Sequence, residues 1–146
     1  MKFNDTAPLL NWDGSPPPWL AKFADDVTME ASALRRPVQG RAEVLGLLKV
    51  AIPLYEFQHF TYRGEVGGGF FFESYRSTVD GTPIENMVMV HTNAQGEVDS
   101  LVISHRPLGA LLKFSRLMGE RVGDRFGKDL FIGAEAAASL ELPVTG

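Results

Sequence analysis

The chain has 146 residues, the length of one ordinary domain, enough to bury roughly 70% of its unfolded surface around a single core. It has no cysteine, which excludes disulfides, thiolate nucleophiles and sulfur-ligated metal sites and makes the cytoplasm the expected location. A net charge of −4 argues against a nucleic-acid binder, no apolar run nears the roughly 18 residues of a membrane span, and no export signal is read at the N-terminus.

Residues 1–14 read as an irregular arm. Ser15 can then cap a short helix running to about residue 24, with Pro16 suited to its first turn. Trp19 and Phe23, four apart, share one face of it and should plug the core or line the mouth of a pocket. Val27, Met29 and Ala31 alternate with Thr28 and Glu30, the period of a half-buried strand. A polar loop with Arg35, Arg36, Pro37 and Gly40 follows. Val44, Leu47, Leu48, Ala51 and Ile52 form one helical stripe, which Pro53 ends.

Aromatic and β-branched runs then cover residues 57–66, 70–79, 84–92 and 98–104, a four-strand meander. Its turns, Gly67-Gly68-Gly69, Asp80-Gly81 and Asn93-Ala94-Gln95-Gly96, are rich in residues that tolerate positive φ. Tyr55 and Phe57 alternate in one phase and Phe60 and Tyr62 in the other, which marks a bulge in the first of these strands. After Pro107 an amphipathic helix runs to about residue 126, and residues 128–146 read as a loosely attached tail. The domain core is thus expected over residues 15–127.

The stretch Phe23-Ala24-Asp25-Asp26-Val27-Thr28-Met29-Glu30-Ala31, followed by Pro37 and by Gly40-Arg41 opening a helix, resembles the nuclear transport factor 2-like superfamily. The likeness is strongest to its ketosteroid isomerase and SnoaL-like branch, and it extends through the later turns to about Arg106. It implies an α+β, cystatin-like fold: a cone-shaped curved antiparallel sheet wrapped around helices and enclosing a cavity, here with an extra C-terminal helix. It also implies where isomerase chemistry would sit, and the residues there differ. The general-base position is Ala31, the second acid falls by turn alignment on Val88, and no tyrosine precedes Tyr55 to match the catalytic one. Steroid isomerase activity is therefore not carried over, since proton abstraction needs a base.

Tight turns at Asp80-Gly81 and at 93–96 fix the expected register: Val79 opposite Thr82, and Thr92 opposite Glu97. Glu73 should then be level with Val88 and Leu101, and His105 with Ile84 and Ser77. One face carries Phe71, Glu73, Tyr75, Ser77, Ile84, Asn86, Val88, Val90, Leu101, Ile103 and His105. Because Val88 takes the place of a pocket acid, that face should be concave. The expected pocket lining is Trp19, Phe23, Met29, Ala31, Phe71, Tyr75, Asn86, Val88, Leu101 and Ile103.

Glu73 is the leading proton-transfer candidate, a carboxylate on an apolar wall where desolvation raises its pKa and Tyr75 or Asn86 could orient it. His105 is the second, as a proton shuttle of near-neutral pKa, about 16 Å from Glu73 between Cα atoms in this register. His59, in the bulged strand, and His91, on the opposite face, carry less. Three scattered histidines give no metal-binding spacing, and no phosphate-binding loop indicates a cofactor.

The opposite face holds Phe70, Phe72, Met87, Met89, Val98 and Val102, too apolar to meet water comfortably. Either a second copy of the chain or the C-terminal helix should cover it, and Arg76 and Glu85 should pair across strands there. The function expected is a pocket protein for a hydrophobic small molecule, as an acid/base enzyme of isomerase, cyclase or hydrolase type. The alternatives are a non-catalytic carrier or sensor and a dimeric interaction module.

Overall fold

Alternating apolar residues between turns that demand positive φ can satisfy their backbone only by pairing strands, and that pairing organises the molecule. The computed structural model describes residues 10–11 and 17–132. In chain order its elements are β1 (Leu10–Asn11), β2 (Phe23–Ala31), β3 (Val38–Gln39), α1 (Arg41–Ala51), β4 (His59–Gly67), β5 (Phe70–Val79), β6 (Thr82–Thr92), β7 (Val98–Arg106) and α2 (Leu108–Phe126). Among the described residues seven strands make one sheet in the order β1-β4-β5-β6-β7-β2-β3, antiparallel except where β2 runs parallel to β7. Bulges in β2, β4 and β7 bend the strands, and both helices lie in the hollow of the sheet.

The Asp80-Gly81 turn has φ of 47° and 74°, so β5 and β6 pair in the expected register, Glu73 with Val88 and Tyr75 with Asn86. The β6–β7 register differs from expectation by two residues: Val88 faces Ile103 and Asn86 faces His105. The cause lies in the turn. Asn93 Oδ1 accepts the N–H groups of Gln95 and Glu97, both at 3.0 Å, and Asn93 N–H donates to the Glu97 carbonyl, so the loop closes one residue early. A bulge at Asp99 absorbs the second residue. A shift of two keeps side chains on their expected faces, but it moves His105 toward Glu73. Val98, beyond the bulge, turns inward and is 1% exposed.

Several boundaries are corrected. The expected helix to residue 24 is a single 3-10 turn, Pro18–Lys22, because prolines at 17 and 18 supply no N–H donors and Phe23 already enters β2. Its Ser15 cap and Pro16 lie outside the described residues. Residues 10–11 of the supposed arm pair with Phe60 and His59. The 35–40 loop contains β3, pairing with Thr28 and Met29. The segment read as a tail begins in the core: Leu130 and Phe131 are 1% and 4% exposed, and Arg35 N–H donates to the Leu130 carbonyl. Ser115 Oγ, buried in α2, donates to the Ala33 carbonyl and accepts from Ile132 N–H, tying loop, helix and C-terminal segment together. Residues 133–146 lie outside the described part.

Helix α2 packs on the concave side, with Phe114 stacked on Tyr55 and on His105. Among the described residues no helix covers the outer sheet face, and Phe70, Met87 and Val102 are about two-fifths exposed, although Phe72 is buried beside Tyr62. Arg76 and Glu85 pair on this face at 3.4 Å, as their opposition predicts, and Arg106 joins them. Among the described residues no helix is long and apolar enough to cross a membrane.

Candidate functional site

The sheet's hollow is not filled completely by the helices. A narrow cavity with an open volume of about 50 Å³ runs between the concave face, α1 and α2. Leu47, Leu48 and Ala51 of α1, Phe114 and Met118 of α2, and Phe131 form its roof, while Met29, Ala31, Val88 and Ile103 form much of its floor. Its polar groups come from Trp19, Tyr55, Gln58, Glu73, Tyr75 and His105. At roughly 10–15 Å³ per water, the space is that of a few solvent molecules or a compact ligand.

At one end stands Glu73. It is 2% exposed, and its cross-strand neighbour on β4 is Arg63. The guanidinium donates to Oε1 from Nη2 at 2.9 Å and from Nε at 3.2 Å, so both contacts fall on one oxygen. Burial lifts the carboxyl pKa above its ordinary value; the charge and hydrogen bonds of Arg63 oppose this without cancelling it. The Trp19 indole N–H lies near enough to favour the ionised acid, yet it makes no hydrogen bond of normal geometry and has no partner among the described residues.

At the other end, both nitrogens of His105 are engaged. Nδ1 is 2.7 Å from Ser32 Oγ, which also accepts the His105 backbone N–H at 2.9 Å, and Nε2 is 3.1 Å from the Tyr55 hydroxyl. The ring stacks on Phe114. Burial holds its pKa down to about 4, so at neutral pH it is an uncharged link in this chain and not a cation. Tyr55 packs edge-on against Tyr75, and burial pushes both phenols up, Tyr75 to about 12. The Asn86 amide, fully buried, favours the ionised form of both tyrosines by its proximity, but neither of its polar atoms makes a hydrogen bond of normal geometry.

Of the residues the sequence singles out, Glu73, His105, Trp19, Met29, Ala31, Tyr75, Val88 and Ile103 line this cavity. Phe23 and Leu101 are core side chains, Asn86 is buried without reaching the cavity, and Phe71 lines a separate groove outside Trp19. The register places the Cα atoms of Glu73 and His105 about 12 Å apart, closer than the sequence reading. Glu73 is oriented by Arg63 rather than by Tyr75 or Asn86. Arg63, Tyr55, Gln58 and Ser32 were not foreseen. The bulge at Thr61 hides the phase of β4, and Tyr55 reaches the cavity from the segment before β4, where it bridges to Val79. His91 lies on the outer face, 2.5 Å from Asp99, and His59 packs on Phe57. Among the described residues no three acidic or histidine side chains gather as a metal site.

No protein-family model matches the chain, and no curated protein matches it in sequence. Solved structures do. A steroid delta-isomerase from Pseudomonas aeruginosa superposes with a TM-score of 0.66 at 15% identity, covering 72% of this chain and 77% of its own. An uncharacterized bacterial protein with a cystatin-like fold from Silicibacter pomeroyi DSS-3 gives 0.68 at 18% identity, covering 75% and 79%. A nuclear transport factor 2-like protein of unknown function from Burkholderia xenovorans LB400 gives 0.50 at 13%, covering 57% and 64%. Combined with the bent seven-stranded sheet and the helices in its hollow, these superpositions identify the chain as having the α+β fold of the cystatin-like and nuclear transport factor 2-like proteins.

Proposed function

We propose that the chain is an acid/base enzyme that takes a compact, largely apolar molecule into its cavity and uses Glu73 to move a proton. The observation that carries this reading is a carboxylate only 2% exposed on an otherwise apolar wall, with both arginine contacts on Oε1 and none on Oε2. A desolvated carboxyl of raised pKa can take up or give a proton nearer neutrality than an exposed one. Tyr75, two residues from Glu73 on β5, and Tyr55, beside His105, are protonated at neutral pH and available to hydrogen-bond a ligand oxygen in the cavity. His105 serves to orient Tyr55, since its own low pKa makes it a weak base.

The fold is shared with a steroid isomerase, but the positions that the resemblance assigns to that chemistry are Ala31 and Val88, apolar lining residues here. Any proton transfer therefore uses a different group, and Glu73 is the acidic residue lining the cavity. The outer face supports a second proposal: two copies pair through Phe70, Met87 and Val102.

The test is a turnover screen of small ketones, enols and epoxides, run with wild type and Glu73→Gln alongside a binding assay. Turnover lost in the variant while binding persists supports the enzyme reading. Equal turnover in both removes Glu73 from the mechanism, and binding without turnover in wild type makes the protein a carrier.

A further inference from the structure

Beyond the buried cavity, a second and wider depression of about 460 Å³ opens on the other side of Trp19. Trp19, Phe71, Val90 and Val98 give it apolar walls, and its two charged lining residues, Lys22 and Arg63, are both cations. That sign is notable in a chain of net charge −4. Arg63 is held firmly: its guanidinium carbon lies 4.4 Å from the Phe60 ring centre and 6.0 Å from that of Phe71, and Nε and Nη2 are tied to Glu73. That leaves Nη1 with no partner among the described residues. Lys22, exposed at the rim, forms no ion pair among the described residues either. The groove thus joins a hydrophobic wall to a pre-positioned guanidinium with a donor edge to spare and a second cation at its mouth.

From this we infer that the groove outside Trp19 is a separate binding site for a small amphipathic anion. The carboxylate of such a ligand sits between Arg63 Nη1 and Lys22, and its hydrocarbon part lies along Trp19, Phe71, Val90 and Val98. A planar guanidinium pairs well with carboxylate, and a partly desolvated groove strengthens that pairing over the same contact in bulk water. A neutral molecule of the same shape gains only the apolar contact. Because Arg63 also holds Glu73, an anion here competes for the guanidinium that steadies the carboxylate of the cavity. The site does not depend on the cavity being catalytic.

Decanoate and decanol, below their aggregation limits, are suitable probes by calorimetry and amide NMR. Decanoate should bind with a Kd on the order of 0.1–1 mM and decanol at least about tenfold more weakly. Lys22→Gln, at an exposed position, should weaken decanoate about three- to fivefold and reduce its salt dependence, and Arg63→Gln should weaken it more. Amide shifts should move at Phe71, Val90 and Val98. Equal binding of acid and alcohol, retention of decanoate affinity in the folded Lys22→Gln and Arg63→Gln variants, or shifts confined to Leu48, Ala51 and Met118 around the buried cavity would overturn the inference. So would binding to phosphatidylglycerol vesicles with none to free decanoate.

Discussion

Arg63 holds a single oxygen of the buried Glu73 carboxylate, from Nη2 at 2.9 Å and from Nε at 3.2 Å, across adjacent strands. The arrangement stabilises the anion only partly, because burial still lifts the Glu73 pKa above its ordinary value. A raised acid pKa means that folding favours the protonated form. That contribution is complete below the unfolded pKa of 4.5 and is lost as pH rises through the folded value. Glu73→Gln cannot ionise, so its stability relative to wild type should improve as pH rises from about 4 through the raised folded value and then level off in urea titrations. A gap that stays constant over this range would show that Glu73 titrates normally.

His105 has the opposite dependence. Its folded pKa, about 4 against an ordinary 6.5, favours the neutral ring, so its contribution is present above 6.5 and disappears as pH falls toward 4. The loss should reach up to about 3 kcal/mol, and it should be absent in His105→Gln. Denaturant unfolding of both proteins at pH 7 and at about pH 4 checks this, and parallel acid losses would refute it.

Tyr55 and His105 should be energetically coupled. Tyr55→Phe keeps the ring stacked on Phe114 and deletes the hydroxyl 3.1 Å from Nε2, at an expected cost of about 1–2 kcal/mol. Combined with His105→Gln in a double-mutant cycle, the interaction energy should exceed about 0.5 kcal/mol. Strict additivity would mean the two side chains are neighbours without a bond.

The outer face gives a prediction about assembly. Light scattering should find a dimer at micromolar concentration, and Met87→Glu, at a position 38% exposed, should give a folded monomer. A wild-type monomer would disprove the pairing.

The sequence was most legible where one short-range rule decides the outcome. Strand β5 is bounded as expected and its register with β6 is as expected, because Asp80-Gly81 admits one tight turn and a period of two then assigns every side chain to a face. The same rule put Glu73, Tyr75 and Val88 on one face, and the family resemblance at Val88 implied that this face is the concave one. Periodicity stops predicting register where a bulge or side-chain hydrogen bond adds a residue to the count. Asn93 and Asp99 moved His105 two places along β7, and Thr61 obscured which way Arg63 points.

The sequence alone therefore determined the class of fold, the meander and the presence of a carboxylate on an apolar wall, since all three follow from periodicity and turn chemistry within a few tens of residues. Only the tertiary structure decided what that carboxylate touches. Arg63, Trp19, Tyr55 and the Ser32–His105 link come from segments far apart in the chain, and their meeting depends on how bulged strands curve around two helices. No local pattern encodes that curvature, because it is the sum of several one-residue irregularities.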